Sequence, residues 1–313
     1  MVVGMPEKSG NGWATLTTGA EEGQAGPIRA VAATVRSAVG VAGAAQLACA
    51  LEVAAEKPGN VTPSHDFHDT SYEDMLRSAI AIGPELAGAG ERGVGETVLA
   101  VVEASRRVAP ANTNLGIALL LAPLAKVALD GGPLRARLGA TLRGLDVADT
   151  RAAYAAIRLS GASGLHERVE HDVRSVPAVG LRDAMASAAE RDSVASEYVT
   201  DYGLTFDTGV PALVAALGDG LGMREAIVEL HLRLLDRVPD TLIARKGGAG
   251  AAAEVSAGAR EVLAAGGVRT AEGRQALRGF DASLRGPGNA LNPGTTADLV
   301  TATLFVALVE GML

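Results

Sequence analysis

Apolar side chains recur along this chain with the roughly 3.6-residue period of a helix, and almost nowhere with the two-residue alternation of a strand. Ile117, Leu120, Leu121 and Leu124 fall at i, i+3, i+4 and i+7, and the sets Met75, Ala79, Ile82 and Ile227, Leu230, Leu234 repeat the helical spacing. The pattern predicts a long helix over 27–57 that stops before Pro58, because the residue preceding proline disfavours the α region. Residues 58–70 then read as a loop. Ser71 and Asp74 form a capping box with Asp in place of Glu, opening a helix expected to end near Gly83 and Pro84. The Gly-rich stretch 88–95 leads to a helix through Val108, Pro110 breaks the chain, and Asn112 or Thr113 caps the next helix. Further helices are expected over 133–142, 146–160, 181–202, 210–217, 223–238, 249–265, 271–285 and 295–312. The irregular stretch 161–180, which carries His166 and His171, reads as a lid or a surface loop. No repeat is present, so the expected class is all-α, with one multi-helix domain over 27–313. Residues 1–26 lack an apolar period and read as a disordered leader.

Composition sharpens this. Hydrophobic residues make up 48% of the 313 and aromatics only 3%, so the core must be built from Ala, Leu and Val, which favours helix over sheet. The net charge of -8 and the lack of any Lys/Arg run exclude a nucleic-acid binder, which needs a basic surface. Pro123 and Lys126 interrupt the apolar run 115–129, and Asp298 and Glu310 interrupt 294–313, so no membrane span is expected. With no signal peptide visible, the expectation is a soluble, cytoplasmic protein. The single cysteine, Cys49, excludes an internal disulfide and a paired-cysteine metal site. Small-residue packing is compatible with a homodimer, although no feature fixes the oligomeric state.

Against this background a few segments place polar side chains beside Gly or Pro at a helix end. In 56–61, Pro58 fixes φ and Gly59 permits φ > 0, so the turn can hold Lys57 and backbone amides around an anion. His65, Asp66, His68 and Asp69, with Glu73 and Asp74 behind them, offer oxygen and imidazole ligands. Mg²⁺ with a bound triphosphate would use one or two of those carboxylates, whereas the bland reading is a solvated acidic loop. Asn112, Thr113 and Asn114 precede an apolar helix whose N-terminus suits a phosphate or a ribose hydroxyl, and one of the three suffices as a cap. Arg245 and Lys246 stand beside Gly247 and Gly248, suited to phosphate approach or simply to a helix C-terminus. His231 lies on an apolar helix face and reads as a core histidine. The last helix opens after Asn292, Pro293 and Gly294, with Thr295 or Thr296 as cap and Asp298 in its first turn.

In this order, KPGNV, the acidic loop, NTNLG, DTLIARKGG and NPGTTADLVTATLF resemble the motif series of the triphosphoribosyl-dephospho-CoA synthase (CitG-like) family, from Ala50 to Leu308. The resemblance implies an all-helical transferase that uses ATP as ribosyl donor. The 2′-hydroxyl of 3′-dephospho-CoA attacks C1′ of the ATP ribose, adenine leaves, and the triphosphate stays on the transferred sugar. It implies Lys57, Arg245 and Lys246 as triphosphate contacts, Asn60 as a further nucleotide contact, and Asn112, Thr113 and Asn114 near ribose or phosphate. Asp66 and Asp69 are implied as Mg²⁺ ligands or general base, with Asp240 or Asp298 as alternative bases. Where the citrate lyase branch carries His and Lys, this chain has Asn114 and Leu115, like a divergent branch of the family. That leaves a different alcohol acceptor, or water, as the second enzymatic expectation and a non-catalytic helical binding protein as the third.

Overall fold

In the computed structural model the described residues are 38–109, 114–161 and 171–313. The leader over 1–26, the start of the first helix, Pro110, Asn112, Thr113 and His166 lie outside them. The described residues form helices α1 (Ala38–Ala54), α2 (Tyr72–Ala87), α3 (Val94–Val108), α4 (Leu115–Asp130), α5 (Leu134–Arg143), α6 (Val147–Ser160) and α7 (Leu181–Ala186). There follow α8 (Ser193–Val199), α9 (Val210–Gly218), α10 (Met223–Arg237), α11 (Thr241–Ala264), α12 (Ala271–Leu284) and α13 (Gly294–Val309), with no strand among the described residues. The all-α class read from the sequence is the class observed.

Two strongly apolar helices form the centre of the core. In α13 the run Leu299–Val300–Thr301–Ala302–Thr303–Leu304–Phe305–Val306–Ala307 is buried throughout, and α13 packs against α1, α4, α9, α10 and α11. Helix α4 is buried on nearly every face and packs against α1, α2, α3, α5 and α13. A helix apolar all round belongs in the interior. No single described helix is long and apolar enough to cross a membrane.

Two prolines inside helices show how the core tolerates a broken ladder. Proline lacks the N–H that would reach the carbonyl four residues back. Pro84 therefore frees the Ile80 carbonyl, and Gln46 of α1 donates its Nε2 to it at 2.8 Å. A Cβ at Gly83 would lie 2.5 Å from that Nε2, so glycine makes the approach feasible. With the carbonyl satisfied, α2 runs on to Ala87 instead of stopping at Gly83 and Pro84 as expected. In α4, Pro123 frees the Leu119 carbonyl, which accepts the Tyr198 hydroxyl at 2.7 Å, while Tyr202 donates to Leu120 O at 2.8 Å. The buried tyrosines thereby lock α8 and the turn after it onto α4.

Two further expectations are corrected. The helix read over 181–202 is two short helices: α7 ends at Ala186, a turn follows, and Asp192 caps α8 through Val194 N and Ala195 N. The helix expected over 249–265 opens earlier: Asp240 caps Thr241 onward, and Gly248 (φ 89°, ψ 163°) breaks α11 directly after Gly247, which leaves Arg245 and Lys246 in the last turn before the break.

Candidate active site

A cavity of about 430 Å³ opens where α1, α4 and α8, the starts of α11 and α13, and the loops 58–70 and 285–293 meet. That size lies within the range of roughly 300–1,000 Å³ usual for small-molecule sites. Its architecture rests on Asp240. One carboxylate oxygen accepts Leu242 N (2.9 Å) and Ile243 N (3.1 Å), capping α11. The other accepts Thr296 N (2.7 Å) and Thr296 Oγ1 (2.8 Å), so one buried side chain clamps two helix starts together. Burial pushes the Asp240 carboxyl up, and the bonds from Thr296, Ile243 and Leu242 oppose that shift.

The clamped α11 presents Arg245 and Lys246 to the cavity. Arg245 Nη1 bonds Asp192 Oδ2 at 2.9 Å, and Lys246 Nζ donates to Asn289 O at 3.1 Å. Desolvation lowers the Lys246 pKa, Asp69 and Asp240 oppose it, and Arg245 adds to it.

Carboxylates line the same cavity. Asp298 on α13 overlies the first turn of α4 so closely that a Cβ at Gly116 would lie 1.9 Å from its Oδ2, so any larger residue there would have to displace the carboxylate. Burial, then the carboxylates of Glu52, Asp240 and Asp192, push the Asp298 carboxyl well above the ordinary range, with Arg245 opposing. Glu52 of α1 lines the same cavity, its carboxyl raised by burial and lowered by Lys57. Asn292 completes the rim: its Oδ1 is buried with no hydrogen-bond partner among the described residues.

The family model described as CitG, ATP:dephospho-CoA triphosphoribosyl transferase, matches residues 38–313. The chain belongs to the CitG family. A candidate 2-(5''-triphosphoribosyl)-3'-dephosphocoenzyme-A synthase of Stutzerimonas stutzeri is 29% identical over 157 residues, 49% of this chain and 49% of that one. The Klebsiella pneumoniae synthase of that name is 35% identical over 104 residues, 33% of this chain and 36% of the other. The chain thus spans about half the length, or less, of the curated relatives it matches. A crystal structure of a candidate triphosphoribosyl-dephospho-CoA synthase from Archaeoglobus fulgidus matches with a TM-score of 0.59 and 29% identity, covering 75% of this chain and 99% of that one.

Within this CitG-family fold the residues singled out from sequence separate. Asn60, Asp69, Arg245, Lys246 and Asp298 line the cavity together. Asp240 stands behind it as the clamp. Lys57 is fully buried and its ammonium points at Glu52, 3.0 Å from Oε1. Asp66 accepts Tyr72 N at 2.8 Å and is not among the lining residues. Asn114 is buried at the N-cap of α4, yet its side chain does not cap; Nδ2 donates to Ser105 Oγ at 3.1 Å. Asn112 and Thr113 lie outside the described residues. His231 is buried as expected, and burial first, then Lys57, pulls it down to about 3. No group of three or more His, Cys, Asp or Glu side chains among the described residues converges as a metal site.

Sequence reading passed over Glu52 and Asp192, and took Asn289 and Asn292 only as part of the turn that enters the last helix. Glu52 did carry a signal: it is the sole charged residue on α1, five positions before Lys57. Asp192 carried none, since its partner Arg245 is remote in the chain.

Proposed function

We propose that this protein is an ATP-dependent triphosphoribosyl transferase acting on the 2′-hydroxyl of 3′-dephospho-CoA. The observation that carries the reading is the charge content of one cavity in a chain of this family: Arg245 and Lys246 line it together with Glu52 and Asp298. A triphosphate needs the cations and a sugar carbon gaining positive charge needs the carboxylates. Asn60 and Asn292 are among the neutral polar groups of the lining, and Asn292 Oδ1 is an acceptor for a ribose hydroxyl.

In the proposed reaction the acceptor O2′ forms a bond to C1′ of the ATP ribose as the bond from C1′ to adenine breaks. Asp298 takes the hydroxyl proton. Its raised pKa makes it a stronger base than a free carboxylate once ionised, and a base whose pKa approaches the working pH is the more effective. Departing adenine takes the electron pair of the broken bond and one proton from solvent, and Asp298 returns the hydroxyl proton to solvent. Mg²⁺ would enter as the counter-ion of the triphosphate. Of the two loop carboxylates, Asp69 lines the cavity and is placed to share the ion, whereas Asp66 is engaged by Tyr72 N.

A second reading changes the acceptor. The wall at the start of α4 is apolar, formed by Leu115, Ile117 and Leu119, and Leu115 stands where the resembling citrate lyase branch carries a lysine. Incubation with ATP, Mg²⁺ and dephospho-CoA, followed by chromatography for free adenine, tests both. Adenine that appears only with dephospho-CoA supports the first reading. Adenine released to water or to another coenzyme-like alcohol moves the assignment to the second. ATP binding with no adenine under any of these conditions would leave a helical binding protein.

A further inference from the structure

Lys57 looks like a phosphate ligand in the sequence, but its ammonium has nothing left to give. An ammonium has three N–H donors. Those of Lys57 have Glu52 Oε1 at 3.0 Å, Glu52 O at 2.5 Å and Ala55 O at 3.3 Å as acceptors, and the residue has no exposed surface. Two of these acceptors are carbonyls at the C-terminal end of α1, where helical partners run out and the dipole favours a cation. Lys57 thus closes α1 and grips the one charged side chain that α1 carries. Glu52, unlike Lys57, reaches the cavity.

A buried carboxylate held against a lysine does not suit a polyphosphate, which it would repel. It suits positive charge or hydroxyl donors. In a cavity that also holds Arg245 and Lys246, that means the sugar end of a nucleotide whose phosphates those two cations hold.

We infer that Glu52 is a substrate-facing carboxylate stabilising the positive charge that develops at the ribose carbon, and that Lys57 is a positioning residue that fixes Glu52 at the cavity wall. The inference rests on the transferase reading. The charged and titratable groups around the pair are Asp298 from α13, Cys49 from α1 and His231 from α10, the last acting on Lys57. Lys57 also works against burial in keeping Glu52 ionised.

The test compares Glu52→Gln, Lys57→Met and the double variant, with ATP affinity by titration calorimetry and turnover by adenine release across pH. Glu52→Gln is expected to lower kcat by about 10²–10³-fold, the size of a lost electrostatic contact in the transition state, while the ATP Kd stays within about threefold. In Lys57→Met the lone carboxylate loses its cation, so the acid limb of the kcat profile moves to higher pH. In Glu52→Gln and the double variant that displacement is absent. The double variant removes both charges, so it keeps the inference testable if Lys57→Met alone fails to fold, its kcat then matching Glu52→Gln. A Lys57→Met protein with a tenfold weaker ATP Kd and unchanged kcat would make Lys57 a phosphate contact and overturn the inference. So would a Glu52→Gln protein with wild-type kcat. Should the wild type bind ATP yet release no adenine, the transferase reading itself has failed. Calorimetry still separates the two: a Lys57→Met loss of ATP affinity comparable to that of Lys246→Ala would refute the positioning role on its own.

Discussion

The chain holds two concentrations of carboxylates, and they differ in kind. The loop at 65–74 packs Asp66, Asp69, Glu73 and Asp74 into a short stretch, and Asp66, Asp69 and Glu73 stay exposed. The second set is scattered in sequence: Glu52 on α1, Asp240 ahead of α11 and Asp298 on α13, brought together around one cavity by the fold. Burial raises all three members of the second set. Density along the chain therefore signalled a solvated surface, whereas density in space, among apolar helices, gathers carboxyls whose pKa values burial raises.

The sharpest way to break this comparison is to remove one carboxylate from each set. Asp298→Asn should lower turnover by about 10²–10⁴-fold, the worth of a positioned general base. The same change should raise stability at neutral pH, because it removes a carboxyl whose ionisation burial opposes. The sign follows from the upward shift: the native state holds this proton more tightly than the unfolded chain. The stabilisation is thus complete below the ordinary carboxylate value and lost as pH rises through the native one. Thermal melts from acid to neutral pH should show a shallower decline for the variant than for the wild type. A variant that is both active and no more stable would return Asp298 to an ordinary capping position.

Asp240 belongs to the same buried set but serves the frame. Its loss uncaps α11 and strands Thr296 N and Thr296 Oγ1 at the start of α13. Asp240→Ala should cost about 2–4 kcal/mol in denaturant unfolding, the sum of a helix cap and two buried hydrogen bonds. Asp240→Asn, which keeps the capping acceptor, should cost less. Equal stability of Ala and wild type would mean that the two helix starts are held by something else.

How much of this could be read beforehand depends on distance along the chain. The capping box of Ser71 and Asp74 is local, and it formed as expected. Arg245 and Lys246 announced themselves as adjacent cations beside glycines, and they line the cavity. The continuation of α2 past Pro84 could not be read locally, because the donor that rescues the Ile80 carbonyl is Gln46 on another helix. The break at Asp192 was equally hidden: no proline or glycine marks it, and Arg245 meets the residue only in the folded chain. Lys57 was legible as unusual but not as a partner of Glu52, since a lone acid on an apolar helix reads as surface until the helix is buried.

His231 carries the comparison to a buried group with the opposite sign. Neither ring nitrogen has a partner among the described residues, and burial lowers its pKa from 6.5 to about 3. The unfolded chain takes up this proton first, so His231 destabilises the fold as pH falls from 6.5 toward 3, against the trend of the carboxyls. His231→Leu should abolish that acid-side loss and stay within about 1 kcal/mol of wild type at neutral pH, because an unpartnered polar group is exchanged for an apolar one. An unchanged acid limb in the melts would show that the ring finds a partner in solution.

The smallest effects should come from the exposed loop. Asp66 accepts Tyr72 N near the start of α2, so Asp66→Ala should cost about 0.5–1 kcal/mol of stability, as a lost cap does, and leave turnover nearly untouched. Asp69 has a side chain 55% exposed and lines the cavity near Lys246, so it can steer a magnesium-bound triphosphate but is too well solvated to bind it strongly. Asp69→Ala should therefore raise the KM for ATP by about three- to tenfold, or about 0.7–1.4 kcal/mol, with the larger effect at low Mg²⁺. The decisive measurement is the ratio of the Asp69→Ala and Asp298→Asn losses in kcat. If Asp69→Ala lost more turnover than Asp298→Asn, the chemistry would lie in the acidic loop after all, and the buried set would be reduced to the scaffold that holds the helix ends together.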